Sequence, residues 1–554
     1  MEGQRIRAHI VLAALLGFFG ALGVRLFQIQ ARADEHFRSL AIRQQVRLQD
    51  LSPRRGAIRG RDGSALAVSL RARSAYAEPA RMKSPGEAAA RIADALRLRP
   101  PERARLIERL TNPRYRRFAW VRRQISDTEA ARLEDLDIAG LGFREEYRRY
   151  YPFGAVASQV LGIVGVDHRG LSGLEASFED VLTGEKGWRP MWRDGRGRGV
   201  LPPGTIAAAP VDGWDVTLTI DPAIQCALED VLEKIFRAHT PRVAIGVVLD
   251  PRTGDILAVA QRPTFDPNRY TMSSPESWRI RAFTDTYEPG STIKPLIAAA
   301  CLEEGLAEMD EMIDCEMGTW TIQKRRLHDF HPYGLLPFTG VISKSSNIGM
   351  AKLGLRLGPE LLRKWVARFE LTDKAGLPIP EEGRGRITSA RKWNLYSTTS
   401  VPMGHEVAVT PIRLACAYAA LANGGILRRP RLVSRIEGPW GGKSFSPDAG
   451  RRVLSTLVSR GQIGAALVSA VLKGTGRRAA LPDVTVAGKT GTAEVIGEGD
   501  EVIASFIGYA PAEDPEVLAL ILVDRPQGKR PTGGIVAAPA VRSVLREALS
   551  RPGR

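Results

Sequence analysis

Apolar residues run unbroken near the start of the chain and then settle into shorter, punctuated patterns. Ala8 to Val24 carries no formal charge, with Arg5 and Arg7 before it and Arg25 after it. Leu26, Phe27 and Ile29 extend it to about 20 residues, enough for one bilayer-spanning helix with Arg25 snorkelling to the interface. Arginines ahead of the span place the N-terminus in the cytoplasm and the remainder outside. A cleaved signal peptide is the rival, since Ala31-Arg32-Ala33 resembles a small-x-small cleavage site; the length of the run favours a retained anchor.

Residues 50–210 mix helical patches, Pro101–Leu110 and Asp127–Leu136, with turn-rich pieces. Arg189 to Asp215 is dense in Gly, Pro and Arg and reads as a loop or hairpin boundary. Beyond it, Val216–Ile220 alternates like a strand, and Asp221-Pro222 reads as an N-cap followed by Pro at the first helical position. Val243–Leu249 and Asp255–Ala260 flank a Pro-Arg-Thr-Gly turn as a hairpin. Helices are expected from Thr292 and over Pro411–Asn423, with strands at Val484–Ala487, Ala504–Ala510 and Val517–Val523. Strands at both ends around central helices predict one sheet assembled from distant segments.

Composition narrows the class. The 554 residues carry 79 basic and 61 acidic side chains, a net charge of +18, with 44% apolar residues and four cysteines. These values exclude a disordered tail, a polytopic membrane protein and a disulfide-stapled mini-domain. The charge is uneven: 36 basic against 23 acidic side chains in residues 1–210, and 43 against 38 thereafter. Nucleic acid is the first partner such basicity suggests, but no RNP, zinc-finger or helix-turn-helix signal supports it, and none is expected. A basic surface beside an anionic membrane or wall polymer accounts for the charge equally well.

Three short motifs carry candidate chemistry. Ser291-Thr292-Ile293-Lys294 fits S-x-x-K, in which positions i and i+3 share a helix face and an amine takes a hydroxyl proton. Ser389–Lys392 fits the same pattern, but only the first follows a Pro-Gly turn into an apolar helix, so Ser389 is read as a decoy. Ser345-Ser346-Asn347 follows 54 residues after Ser291; alone, it is most simply a helix N-cap. Lys489-Thr490-Gly491-Thr492 lies a further 144 residues on, where Gly491 admits close backbone approach and its neighbours offer charge and hydroxyls to a carboxylate. The ordered trio arises by chance in roughly a few chains per thousand.

Together these motifs resemble the class B penicillin-binding proteins. Arg55-Gly56-Ala57-Ile58-Arg59-Gly60-Arg61-Asp62-Gly63 through Leu66-Ala67 is similar to that family's N-terminal signature, except that Gly60 stands where Asp is usual. Tyr150-Tyr151-Pro152 through Gly170-Leu171-Ser172-Gly173-Leu174-Glu175 is similar to its second non-catalytic motif, and Met403-Gly404-His405-Glu406 also fits. The resemblance implies an α+β protein: an antiparallel sheet with helices on both sides as transpeptidase domain (residues 214–554), an elongated α+β pedestal (33–213), and a cytoplasmic tail with a transmembrane anchor (1–32). It implies a peptidoglycan D,D-transpeptidase of the cytoplasmic membrane, septal rather than lateral, that is a target of β-lactams. Ser291 is then the nucleophile, Lys294 the general base and Ser345 the proton relay, while Asn347, Lys489, Thr490, Gly491 and Thr492 bind substrate. No metal or cofactor is implied. Implied partners are stem peptides and nascent glycan, a membrane-embedded glycan polymerase of the SEDS type, and division or elongation proteins. A β-lactamase and a non-catalytic β-lactam sensor are the alternatives; no glycosyltransferase-sized domain precedes residue 210.

Three smaller features receive plain readings. His328-Asp329-Phe330-His331 is read as a loop rimming the cleft rather than a metal pair, for want of a third ligand. Cys301 and Cys315 are read as buried free thiols rather than a disulfide. Arg196, Arg198 and the arginines around Arg54 are read as solvated or ion-paired.

Overall fold

The computed structural model describes residues 2–193, 199–200, 208–379, 381–494 and 501–551. Arg196 and Arg198 lie outside the described residues. The chain forms two compact units, one of residues 1–54 with 184–212 and one of 55–183 with 213–554.

In the first unit a helix runs over Glu2–Gln45, and within it Ile6–Gln28, with mean hydropathy 2.2 and none of it buried, is long and apolar enough to cross a membrane. Val46–Leu51 follows as a strand, antiparallel to Gly187–Arg193, which turns back on Gly199–Val200.

The second unit is built on a five-stranded antiparallel sheet in the order 256–262, 243–249, 517–524, 502–510, 487–494. Both faces are covered, which is why its inner strands read as continuous apolar runs. Val247, Leu249, Leu518 and Leu520 point to one face and pack with Leu296 and Ile297 of helix Lys294–Glu303 and Leu414 and Tyr418 of helix Pro411–Ala422. Alternate residues Val248, Ala519 and Ile521 meet Leu228 and Leu232 of helix Pro222–His239 and Val541 and Leu545 of helix Ala538–Leu549 on the other. Asp221 caps its helix as expected, accepting from the backbone N–H groups of Ala223 and Ile224.

Two expectations shift. The helix expected from Thr292 starts as a 3-10 turn, Gly290–Ile293, before the α-helix at Lys294. The strand expected at Val484–Ala487 instead spans Ala487–Glu494, so the Lys-Thr-Gly-Thr motif lies within a strand. Its polar residues hide the strand from hydropathy, whereas backbone pairing with Val502–Ala510 fixes it.

A second sheet orders strands 441–444, 433–438, 215–218, 58–59, 65–77 and 119–125, with 141–150 also paired to 65–77. Ile92, Leu106 and Leu110, from helices Pro85–Ala95 and Pro100–Thr111, form a separate core with Ala119 and Ile125. Arg55 is buried rather than solvated. Its Nε donates to Glu175 Oε2 at 2.7 Å and its Nη1 lies 2.8 Å from Glu179, while Arg149 Nε donates to Glu175 Oε1 at 2.6 Å. The two non-catalytic sequence signatures thus meet through one carboxylate, with Arg149 also donating to the Gly56 carbonyl at 2.7 Å. Gly60 has no room for a side chain: a Cβ would come within 2.6 Å of Pro222 Cγ.

Glu175→Ala leaves two buried guanidinium groups without this shared partner. A loss of about 3–5 kcal/mol is expected, measured as a lowered urea midpoint.

Candidate active site

The three motifs converge where the edge strand Ala487–Glu494 meets the turn at Gly290–Ile293. Ser291 is half-buried on that turn, and Thr292, Ile293 and Lys294 behind it are buried. The turn is clamped from two sides. Tyr418 donates its hydroxyl to the Thr292 carbonyl at 2.6 Å, and Gly404, at φ +93°, sits so close that a Cβ would lie 2.1 Å from the Gly290 carbonyl oxygen. Gly491 is required likewise, since a Cβ there would be 2.3 Å from Ser505 Oγ and 2.9 Å from Thr292 Cγ2.

Lys294 Nζ donates to the Ser345 carbonyl at 2.7 Å and to Asn347 Oδ1 at 2.8 Å, and lies 3.2 Å from Ser345 Oγ. Lys489 Nζ reaches the same hydroxyl at 2.9 Å and the Thr490 carbonyl at 3.0 Å. One serine hydroxyl therefore stands between two buried amines. Neither lysine forms an ion pair among the described residues. Burial pushes the Lys294 amine down to about 7, opposed by the charge of Asp329, and pushes Lys489 well below its ordinary value, with Lys294 adding to the effect. Both shifts favour the neutral amines.

Ser345 holds this position at φ +61°, a left-handed conformation uncommon for a residue with a side chain. Ser346 caps the following helix, Asn347–Arg368, through the Gly349 N–H at 2.9 Å, so the simple capping reading is correct for the middle residue of the motif while Ser345 and Asn347 face the amine. Thr490 and Thr492 are held by Thr475 Oγ1, 2.6 Å from Thr490 Oγ1, and by Gly533 N–H, 3.3 Å from Thr492 Oγ1. Ser389 precedes a separate 3-10 turn, Ala390–Lys392, far along the chain from this cluster.

Asp329, read from the sequence only as part of a loop rimming the cleft, has a specific anchoring role. Its carboxylate accepts from Ser346 Oγ at 2.6 Å and from the backbone N–H groups of Asn347 at 2.5 Å and Ile348 at 3.0 Å, pinning the loop and charging the helix N-terminus. Asn347 Nδ2 in turn donates to the His328 carbonyl at 2.9 Å. No group of three or more His, Cys, Asp or Glu side chains able to hold a metal occurs among the described residues. Cys301 and Cys315 are free and buried.

This fold and constellation define a penicillin-recognising serine acyltransferase. The family model of the penicillin-binding protein transpeptidase domain matches residues 244–546, and that of the penicillin-binding protein dimerisation domain matches 50–218. The chain is 33% identical over 99% of its length to stage V sporulation protein D of Bacillus subtilis, covering 86% of that protein. It is 30% identical over 90% of its length to the peptidoglycan D,D-transpeptidase FtsI of Escherichia coli, covering 84% of it. Penicillin-binding protein 3 of Mycobacterium tuberculosis in complex with aztreonam is similar in structure, at TM-score 0.70 and 25% identity over 90% of this chain and 96% of that one. The chain belongs to the class B penicillin-binding proteins.

A 13C-lysine NMR titration is expected to place the Lys294 amine near pH 7, charged below and neutral above. Asp329→Asn, by removing a charge that favours the ammonium, is expected to move that titration to lower pH.

Proposed function

We propose that the chain is an acyl-serine peptidoglycan D,D-transpeptidase in which Ser291 attacks the carbonyl of a terminal D-Ala-D-Ala bond. The observation that carries this reading is the hydrogen-bonded knot of Lys294, Ser345, Asn347 and Lys489 beside the Ser291 turn. With two hydrogens given to the Ser345 carbonyl and Asn347 Oδ1, a neutral Lys294 keeps its lone pair for the nucleophile's proton. Ser345 passes a proton to the leaving D-Ala nitrogen. Lys489, Thr490 and Thr492 hold the terminal carboxylate, and Gly491 lets the peptide backbone approach. The backbone N–H groups of Ser291 and Thr492 stabilise the oxyanion. An amine of a second stem then takes the acyl group from Ser291, completing the cross-link, and a β-lactam stops at the acyl-enzyme.

Residues 214–554 supply this chemistry and 33–213 the non-catalytic pedestal, a division supported by the two family-model matches. The Ile6–Gln28 helix anchors the chain, with the N-terminus cytoplasmic and the catalytic residues outside, as Arg5 and Arg7 favour. Glycan polymerisation falls to a separate membrane polymerase of the SEDS type acting with this chain, at the septum.

Fluorescent penicillin is expected to label the purified chain at Ser291. Ser291→Ala abolishes labelling and Ser389→Ala leaves it intact; labelling that survives Ser291→Ala overturns the assignment. The acylation rate is expected to rise with pH through about 7, as Lys294 loses its proton, and to fall about 10²–10⁴-fold in Lys294→Ala. Rapid nitrocefin turnover in place of a persistent acyl-enzyme would favour a β-lactamase instead.

A further inference from the structure

The residues that follow helix Gly464–Leu472 hold the serine loop and the lysine strand together. Lys344, next to Ser345, donates from Nζ to the Lys473 carbonyl at 3.2 Å. Gly474 packs on Ser343 so closely that a Cβ would lie 2.2 Å from its carbonyl oxygen, and the Thr475 N–H points to that same oxygen at 3.4 Å. From the same residue, Oγ1 lies 2.6 Å from Thr490 Oγ1 on the strand Ala487–Glu494. On its far side the Thr475 carbonyl is packed against Gly534, where a Cβ would come within 2.7 Å.

The direction of the contact between the two threonines matters. A hydroxyl has one hydrogen to give and two lone pairs to receive, while a carboxylate only receives. Thr490 is buried, and among the described residues its hydroxyl pairs with Thr475 alone. Its single hydrogen can go to Thr475 or to a bound carboxylate, but not to both. Once a carboxylate takes it, the contact survives only if Thr475 donates. Thr475 is exposed, so water satisfies its remaining lone pairs, and a donating Thr475 polarises the Thr490 hydroxyl toward stronger donation. The Thr475 backbone, gripped through Ser343 and Gly534, fixes where that hydroxyl stands.

We propose that Thr475 is a positioning residue for substrate: it donates to Thr490 and so reserves the Thr490 hydrogen for the terminal carboxylate of the donor peptide. The proposal rests on the transpeptidase reading, in which Thr490 meets that carboxylate. Thr475 takes no part in bond making at Ser291. Its loss therefore weakens binding of a carboxylate-bearing ligand and leaves the chemical step unaffected.

The test compares a penicillin carrying its free carboxylate with the methyl ester of the same compound, on the full chain. Binding of the initial complex and the acylation step at Ser291 are resolved by stopped-flow kinetics. In Thr475→Val, which keeps the shape and lacks the hydroxyl, affinity for the free acid is expected to fall about threefold to tenfold, the size of one net hydrogen bond. The acylation step is expected to change by less than about twofold, and the ester to bind parent and variant alike. Thr475→Ser is expected to keep the parent's affinity. In a Thr490→Val background, Thr475→Val is expected to add nothing. An equal loss for acid and ester, full affinity in Thr475→Val, or an undiminished loss in the Thr490→Val background overturns the proposal and leaves the transpeptidase reading standing. Failure of the free acid to acylate Ser291 in the parent chain overturns both.

Discussion

Everything at this site depends on a lysine amine held away from water without a counter-ion at contact distance. Lys294 is fully buried, and its neutral form is favoured because the protein offers it two carbonyl acceptors rather than a carboxylate. An ion pair would stabilise the ammonium and leave the base protonated near neutral pH. Asp329 stands at the compromise position: close enough to oppose the desolvation electrostatically, but with its oxygens committed to Ser346 Oγ and two backbone N–H groups. Lys489 adds a second buried amine across the shared Ser345 hydroxyl, and each amine's burial favours its neutral form.

The surrounding fold serves to keep that knot rigid. Helix Lys294–Glu303 is buried along nearly its whole length against the central sheet, which fixes the Lys294 amine from behind. Among the described residues, the strand carrying Lys489 pairs on one side only, with Val502–Ala510. Close glycine contacts hold the Gly290–Ile293 turn on two sides, against residue 404 and, through Gly491, against this strand, more tightly than any side chain permits. In the non-catalytic part of the same unit, a buried carboxylate with two arginines fulfils the corresponding role, tying Arg55 to a segment 120 residues away.

Much of this was legible in the sequence. Inner strands 243–249 and 517–524 appear as apolar runs because both faces of the sheet are covered, and the Asp221-Pro222 helix start is a local signal read locally. The strand at Ala487–Glu494 was displaced in the reading because an edge strand facing a polar cleft has no apolar alternation to reveal it. Asp329 was legible only as part of a loop: its hold on Asn347, 18 residues away, follows a path that no periodicity describes. The arginines around Arg54 read as solvated or ion-paired; Arg55 is ion-paired, but its burial and its partner depend on a carboxylate brought from residue 175.

The sequence by itself determined the chemistry on offer: a hydroxyl three residues before an amine, a second hydroxyl with an amide, and a lysine in a run of small polar residues, in fixed order. Those identities are local, and spacing within each motif is enough to read them. The tertiary structure alone decided their protonation and their partners. Whether Lys294 is a base depends on how completely water is excluded and which oxygens replace it, and both come from segments 51 to 195 residues away. Contacts across such separations are fixed by how the sheet and helices pack, a property of the assembled core that no local pattern encodes.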